Sequence, residues 1–442
     1  MDAVFKASAL AFHEQGRPGK IAVVATKSVQ SKEDLALAYS PGVGAACEAI
    51  HADVENSYRY TAKANLVGVI SNGTAVLGYG NIGPHAAKPV MEGKGILFKR
   101  FADIDVFDIE IDENDPDRLI ETITRIAPTF GGINLEDIKA PECFHIERAL
   151  RAQLSIPVFH DDQHGTAVVV TAAVINALRL TKRAIGEIRL VCNGAGAAAI
   201  ACLDMLVVQG VARENIWVFD SKGLLSASRF DLSEEKARYA QNSDQPSSMT
   251  LKQALQDADV FLGVSKANAL QPDDIVGMHP QPLIMALANP IPEIMPQLAR
   301  AARPDAIVCT GRSDFPNQVN NVLCFPYVFR AALDVRASTI NTAMLSAAAR
   351  TIADLAYSAS SQVTPGGRAL ADYLIPDVFD QRLLPQIATA VASAAMDSGV
   401  ARLPLQDSLA YTCALTDLAR RLAGTPVQKV TNDAVLMMVN ED

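Results

Sequence analysis

The sequence predicts an α/β protein: an N-terminal mixed α/β domain, then a doubly wound parallel sheet, then C-terminal helices. Three observations predict it. Short apolar runs alternate with helical stretches from about residue 163. A Gly/Ala string at Gly194–Ala199 follows the first run, and after Asn321 the chain turns Ala-rich and helical to about residue 400. With 442 residues, 49% of them hydrophobic, there is chain enough for two or three domains at about 150 residues each. The expected division is 1–160, 161–400 and a C-terminal helical tail over 401–442.

In the first part, Val67–Ile70 and Ala75–Gly78 read as two strands of a hairpin turned at Asn72-Gly73. Phe101 to Asp112 reads as a half-buried strand, with Asp103 and Asp105 on its polar face. In the second part the expected strands are Ile188–Cys192, Ile216–Phe219, Val260–Leu262, Leu283–Leu287 and Ala306–Cys309. A helix running to Val208 should close on Gly210 as its C-cap. Ala240 to Ser248 is polar and reads as a surface loop.

Composition excludes several classes. The formal net charge is −10 with acids and bases well mixed, so a nucleic-acid partner is not expected. No apolar run approaches the roughly 18 residues of a membrane span, and Met1–Lys6 carries no signal-peptide pattern. Seven cysteines at 47, 143, 192, 202, 309, 324 and 413 form no CxxC pair. They read as reduced thiols, which points to the cytoplasm.

Gly194-Ala195-Gly196-Ala197-Ala198-Ala199 fits G-x-G-x-x-G/A. The first Gly makes the tight turn, the second lets backbone approach a pyrophosphate, and the third position must be small where helix meets sheet. The opening helix offers free N–H groups to the phosphates. The string follows an expected strand, and the next strand ends in Asp220, so the second part reads as a Rossmann-type NAD(P)-binding domain. Asp220 suits the ribose hydroxyl of NAD, whereas Ser221 and Lys222 suit the 2′-phosphate of NADP; residue chemistry leaves that choice open.

Two segments concentrate carboxylates beside apolar sequence: Gly131–Ile138, with Glu136 and Asp137, and Pro157–Thr166, with Asp161 and Asp162. Adjacent acids are costly to bury unless paired or metal-bound. Oxygen ligands from two segments would suit Mg²⁺ or Mn²⁺, while N-capping and surface acids are the plainer alternative. Ser40-Pro41 reads as an N-cap followed by proline at the first helical position, so its amides would face an anion beside Tyr39. We expect this turn to help hold a substrate carboxylate.

These segments, taken in order, resemble the malic enzymes. Ala38-Tyr39-Ser40-Pro41-Gly42-Val43 is similar to their tyrosine signature and Pro89–Gly95 to their lysine motif. Leu135-Glu136-Asp137 and Phe159–Thr166 resemble their metal motifs, and Ala288-Asn289-Pro290 and Gly311–Asn321 complete the set. The resemblance runs from about residue 15 to 400 and is nearest the bacterial NADP-dependent type. It implies oxidative decarboxylation of (S)-malate to pyruvate, with NADP (or NAD) and Mg²⁺ or Mn²⁺. By position it implies Glu136, Asp137 and Asp162 as metal ligands, Lys94 as base, Tyr39 as acid and Asp161 as relay. Asn289 and Asn320 would contact substrate, with Asn289 also near the cofactor. Asp220-Ser221-Lys222-Gly223 is similar to Asp-Ser-Lys-Gly of the NADP type.

A lysine removes the C2 hydroxyl proton only when neutral, so its pKa should fall from about 10.4 by about two to three units. His160 and His164 flank the acids and read as hydrogen-bonding rather than ligating. The chain lacks the arginine that larger malic enzymes carry near Gly73–Gly78, and no phosphotransacetylase-like domain is expected after it. The family habit implies a homodimer or a multiple of dimers. The rivals are an NAD-preferring malic enzyme, kept open by Asp220, and a nucleotide-sensing module without catalysis.

Overall fold

The computed structural model describes residues 3–242, 249–360 and 370–424. Its first sheet has four parallel strands: β1 (Leu66–Ser71), β2 (Asp105–Glu110), β3 (Gly132–Leu135) and β4 (Val158–His160), in the order β2-β1-β3-β4. Every residue of β1 is buried, as expected of a central strand covered on both faces. Val67 and Val69 face one core with Met91 and Phe98, while Leu66 and Ile70 face another with Ile120, Ile123 and Ile133.

The expected hairpin does not form. β1 already has parallel partners on both sides, so no ladder position is left for Ala75–Gly78. That segment is instead anchored by Ala75 N–H donating to the Asp137 carbonyl at 2.9 Å. The β2 expectation also needs correction. Phe101 and Ala102 close the helix Pro84–Ala102, and Asp103 is its left-handed C-cap, ion-paired to Lys99. Only the second aspartate, Asp105, lies on the strand, where it pairs with Lys99 at the surface.

The second sheet contains β5 (Leu190–Asn193), β6 (Ile216–Asp220), β7 (Gly223–Leu224), β8 (Val260–Gly263), β9 (Leu283–Ala286) and β10 (Ile307–Thr310). Their order is β10-β9-β8-β5-β6-β7, parallel throughout except for the short antiparallel β7. The order reverses between β5 and β8, and such a switch point opens a crevice at the strands' carboxyl ends. All five expected strands are present, and Gly210 follows the helix Ala197–Val208 at φ 112°. Of the expected surface loop, Ala240–Asn242 lies within the described residues, and there Gln241 bridges Ser226. Residues 243–248 fall outside them, as does the tail beyond 424.

The helix Asp161–Thr181 joins the halves. By length and composition it is the one described helix that could cross a bilayer. Here most of it is buried, packed in a single core that includes Val67 and Val69 of the first sheet and Leu190 and Cys192 of the second. The helices Phe325–Asp334, Thr342–Ser360 and Leu383–Asp397 complete that core. Ser408–Gly424 adds Leu415 and Ala419 to it, so this part of the expected tail packs as structure.

Candidate metal and dinucleotide centre

Parallel strands deliver their next residues to one edge, and here those residues are acids. Glu136 continues β3, its N–H donating to the Ile70 carbonyl at 2.9 Å. Asp137 follows at φ 54°, a left-handed conformation that an aspartate tolerates better than most residues. On the neighbouring strand, β4 ends at His160, and Asp161 and Asp162 form the first turn of the helix Asp161–Thr181. A helix N-terminus stabilises negative charge. The two segments are stitched together by Asp137 N–H donating to Asp162 Oδ2 at 2.9 Å.

Glu136, Asp137 and Asp162 each present an oxygen within 4.8 Å of the others. Lys94, from the middle of Pro84–Ala102, reaches the same place. Its ammonium pairs with Asp161 and lies 3.1 Å from Glu136 Oε1. It also sits 4.5 Å from the centre of the Phe325 ring, a cation–π contact that fixes its direction. Asn321 Nδ2 donates to Asp161 Oδ2 at 2.5 Å, and Asn134 Nδ2 to Glu136 Oε2 at 2.9 Å. Gly165 leaves the room Asp161 needs, because a Cβ there would collide with Asp161 Oδ1.

The electrostatics are unbalanced. Four carboxylates face one ammonium, and burial drives His160 towards its neutral form. Burial lifts Glu136 well above the usual carboxylate range. Burial, with Asp162 adding to it, pushes Asp137 up to about 8. Asp137 Oδ2 is buried without a hydrogen-bond partner. An all-oxygen set with surplus negative charge and an unmet buried oxygen fits a hard divalent cation such as Mg²⁺ or Mn²⁺.

Lys94 departs from the expected direction. Burial would lower its pKa, but Asp161, Glu136 and Asp162 outweigh burial and raise it. The neutral lysine expected from the sequence therefore needs positive charge at the acids, which is what a divalent cation among them would add.

The remaining expected residues divide. His164 Nε2 lies 2.7 Å from Glu147 Oε1, so it is engaged away from the acids. Asn320 caps the turn Asn321–Leu323 through its side chain, and it is the neighbouring Asn321 that reaches the cluster. Asn289 is exposed in the loop after β9, where its carbonyl backs onto Gly78, from the segment that follows β1, and its amide onto Gly311. That juxtaposition places it in the cleft between the sheets. Ser40 is not an N-cap: the helix Val43–Ala52 begins after Gly42 without a side-chain cap. Tyr39 is 71% exposed, and no described hydrogen bond or ion pair joins it to the Lys94 cluster within the single chain.

Sequence reasoning missed Asn321, Phe325 and Glu293. Asn321 closes a motif already singled out, and Phe325 gives no signal beyond its apolar run. Glu293 is fully buried and accepts from Ser265 N–H at 2.7 Å and Ala288 N–H at 3.0 Å, tying the ends of β8 and β9 together.

At the switch point, Gly194 (φ 123°) donates its N–H to the Phe219 carbonyl at 2.8 Å, and a Cβ on it would collide with the Val264 carbonyl. A Cβ on Gly196 would meet open space. The first glycine is thus required by packing, and the second leaves a cradle for a pyrophosphate against the start of Ala197–Val208, whose first residues are Ala197, Ala198 and Ala199. Ala195 lies between the glycines. Asp220 ends β6 beside this loop, with Ser221 and Lys222 exposed after it.

A Gly/Ala loop at the sheet's switch point that leaves room for a pyrophosphate, and a carboxylate cluster suited to a divalent cation, lie on one α/β chain. The chain belongs to the malic enzyme family. Residues 18–151 match the malic enzyme N-terminal domain and residues 163–396 the malic enzyme NAD binding domain. It is 59% identical to an NAD-dependent malic enzyme of Rhizobium meliloti over 91% of this chain and 53% of that protein. It is 56% identical to an NADP-dependent malic enzyme of Salmonella typhimurium over 94% of this chain and 56% of that protein. The chain therefore spans about half the length of these relatives. It covers 95% of the NADP-dependent malic enzyme of Halomonas elongata, at 52% identity over 90% of this chain. The crystal structure of a malic enzyme from Pyrococcus horikoshii superposes with a TM-score of 0.85 at 42% identity, covering 95% of both chains.

The raised carboxyls bear protons that a cation must displace. Mn²⁺ added to metal-free protein at pH 7 is expected to release protons, and fewer at pH 9, where Asp137 is already ionised. Calorimetry in buffers of different ionisation enthalpy measures this, and equal proton release at both pH values would contradict it.

Proposed function

We propose that the chain carries the activity of a malic enzyme, converting (S)-malate to pyruvate and CO₂ with reduction of NADP and a requirement for Mg²⁺ or Mn²⁺. The observation that carries this reading is the convergence of Glu136, Asp137 and Asp162 beside the buried Lys94–Asp161 pair. Residues 1–160 would provide substrate and metal groups, 161–400 the dinucleotide site, and 401–442 a C-terminal extension.

When bound, the divalent ion supplies Lewis acidity at the C2 oxygen and compensates the acids. Lys94 then accepts the C2 hydroxyl proton as hydride leaves C2, and Asp161, already its partner, shares that proton. Phe325 and the acids hold Lys94 in one orientation, which shortens the search for reactive geometry. Asn289 and Asn320 are assigned to the substrate, and the exposed Ser40 to its carboxylate. Among relatives, those named NADP-dependent include the Salmonella and Halomonas proteins, which supports NADP over NAD. Seven free cysteines, five of them buried, suit the cytoplasm.

Tyr39 is the proposed acid that protonates C3 after CO₂ leaves, and its exposure requires something to cover it. The helices Ala3–Glu14, Lys32–Ala38 and Val43–Ala52 bury none of their residues. Val4, Leu10, Phe12, Leu35 and Leu37 remain exposed on them. A second copy of the chain packed against this arm, in a homodimer or a multiple of dimers, would bury that surface and bring Tyr39 to a cleft.

Initial rates at 340 nm with malate, each cofactor and Mg²⁺ or Mn²⁺ test the reaction. Metal-dependent reduction with pyruvate formed is expected, and Lys94→Ala should lower kcat by about 10²–10⁴-fold. Folded protein without turnover on either cofactor would refute the activity. Mixing Tyr39→Phe with Lys94→Ala should restore part of the rate in hybrid dimers. No restoration, in a mixture shown to exchange subunits, would remove Tyr39 from a site shared between copies.

A further inference from the structure

Away from the acids, a crevice opens where the two halves of the chain meet. Its walls are the helix Glu142–Gln153 of the first half and, from the second, Ala197–Val208 and the start of Thr342–Ser360. It has two adjoining lobes, of about 200 and 260 Å³, which share Phe144, Arg151 and Arg238. The helix Asp161–Thr181 stands between this crevice and the cation cluster. At 3.6 residues per turn, Asp161, Asp162 and Gly165 lie on one face of that helix. Gln163, His164 and Ala167, which line the crevice, lie on the other. Ile200 and Met205 form the floor, beyond the first turn that would cradle a pyrophosphate.

The polar groups of this crevice are only partly satisfied. Arg151 donates to the Ile340 carbonyl at 2.8 Å and lies 3.8 Å from Glu147, too far for a hydrogen bond. Arg238 donates to Asp204 Oδ2 at 3.1 Å. A guanidinium carries five N–H donors, so most of those between the lobes have no partner among the described residues. The acids nearby are engaged elsewhere. Glu147 lies 2.7 Å from His164 Nε2 and accepts from Gln163 Nε2 at 3.3 Å, and Asp204 accepts from the Tyr239 hydroxyl at 2.5 Å. Gln163 is 4% exposed, and its side-chain oxygen has no partner among the described residues.

We propose that this crevice is a second ligand site, which takes a small organic anion with an apolar body. A carboxylate or phosphate lies between Arg151 and Arg238, whose planar forks suit either group. The body packs on Phe144, Ile200 and Met205, and a hydroxyl or N–H at its far end donates to the Gln163 oxygen. An apolar hollow with a few convergent polar groups is the usual form of a small-molecule site. Because the walls come from both halves, an occupant ties the halves together outside the reacting centre. No covalent step is involved, and the site is independent of the malate and dinucleotide assignments.

Calorimetric titration of the whole chain with 4-hydroxybenzoate tests this, run with and without saturating NADP and Mn²⁺. One molecule per chain should bind under both conditions. The uncharged 4-hydroxybenzamide should bind about tenfold more weakly or worse, the size of one charge-assisted bond. Arg151→Met and Arg238→Met should each weaken 4-hydroxybenzoate by a similar factor. The Arg238 side chain is 43% exposed, so its variant keeps the test valid even if Arg151→Met fails to fold. Displacement of 4-hydroxybenzoate by NADP and Mn²⁺ would assign its binding to the reacting centre and overturn the second site. Absence of binding, equal binding of the amide, or an affinity unchanged in either folded variant would overturn it too.

Discussion

Four carboxylates around one lysine, three of them buried and Asp162 half-buried, are the constraint on which the rest of the site depends. Placing like charges together away from water is unfavourable unless something compensates them. Lys94 compensates part of the charge, and in return the acids keep it protonated against the effect of burial. The chain alone therefore rests in a state opposite to the one a lysine base requires. The acids and the lysine are coupled, so a cation that satisfies Glu136, Asp137 and Asp162 also lets Lys94 act.

The fold holds this unfavourable arrangement by rigid means. β3 and β4 are adjacent parallel strands, and their carboxyl ends place Glu136–Asp137 and Asp161–Asp162 side by side. The helix that begins with Asp161 is mostly buried in the shared core, so its first turn is held beside the acids of β3. Lys94 rides on a helix pinned by Phe98 against Phe325 and Phe329, with ring centres 4.7 and 5.2 Å apart. The proposed dinucleotide and metal sites share one core, and Gly78 meets the Asn289 carbonyl between the two halves.

Much of this was legible in the sequence. Buried strands read as short apolar runs because both faces of a parallel sheet are covered, and β5 to β10 followed that rule apart from the two-residue β7. The acids were visible as pairs beside apolar segments, and family resemblance supplied which of them converge. What failed depended on non-local pairing. Val67–Ile70 and Ala75–Gly78 carry a hairpin pattern, but β2 and β3, distant in sequence, take both edges of β1. Ser40-Pro41 carries a capping pattern, but the helix starts after Gly42. The sign of the Lys94 shift was hidden because it depends on how many acids surround it, a count that no local motif contains. The side-chain partners of Asp220 were hidden too: Arg229 lies in a later loop and Lys236 on the short helix Glu234–Ala237.

We assign Glu136, Asp137 and Asp162 to a divalent cation. The direct measurement is anomalous scattering from crystals grown with Mn²⁺. One site per chain, about 2.0–2.3 Å from oxygens of Glu136, Asp137 and Asp162, is the expected result. Mn²⁺ bound elsewhere, with the three acids still paired only to Lys94 and to each other, would contradict the account.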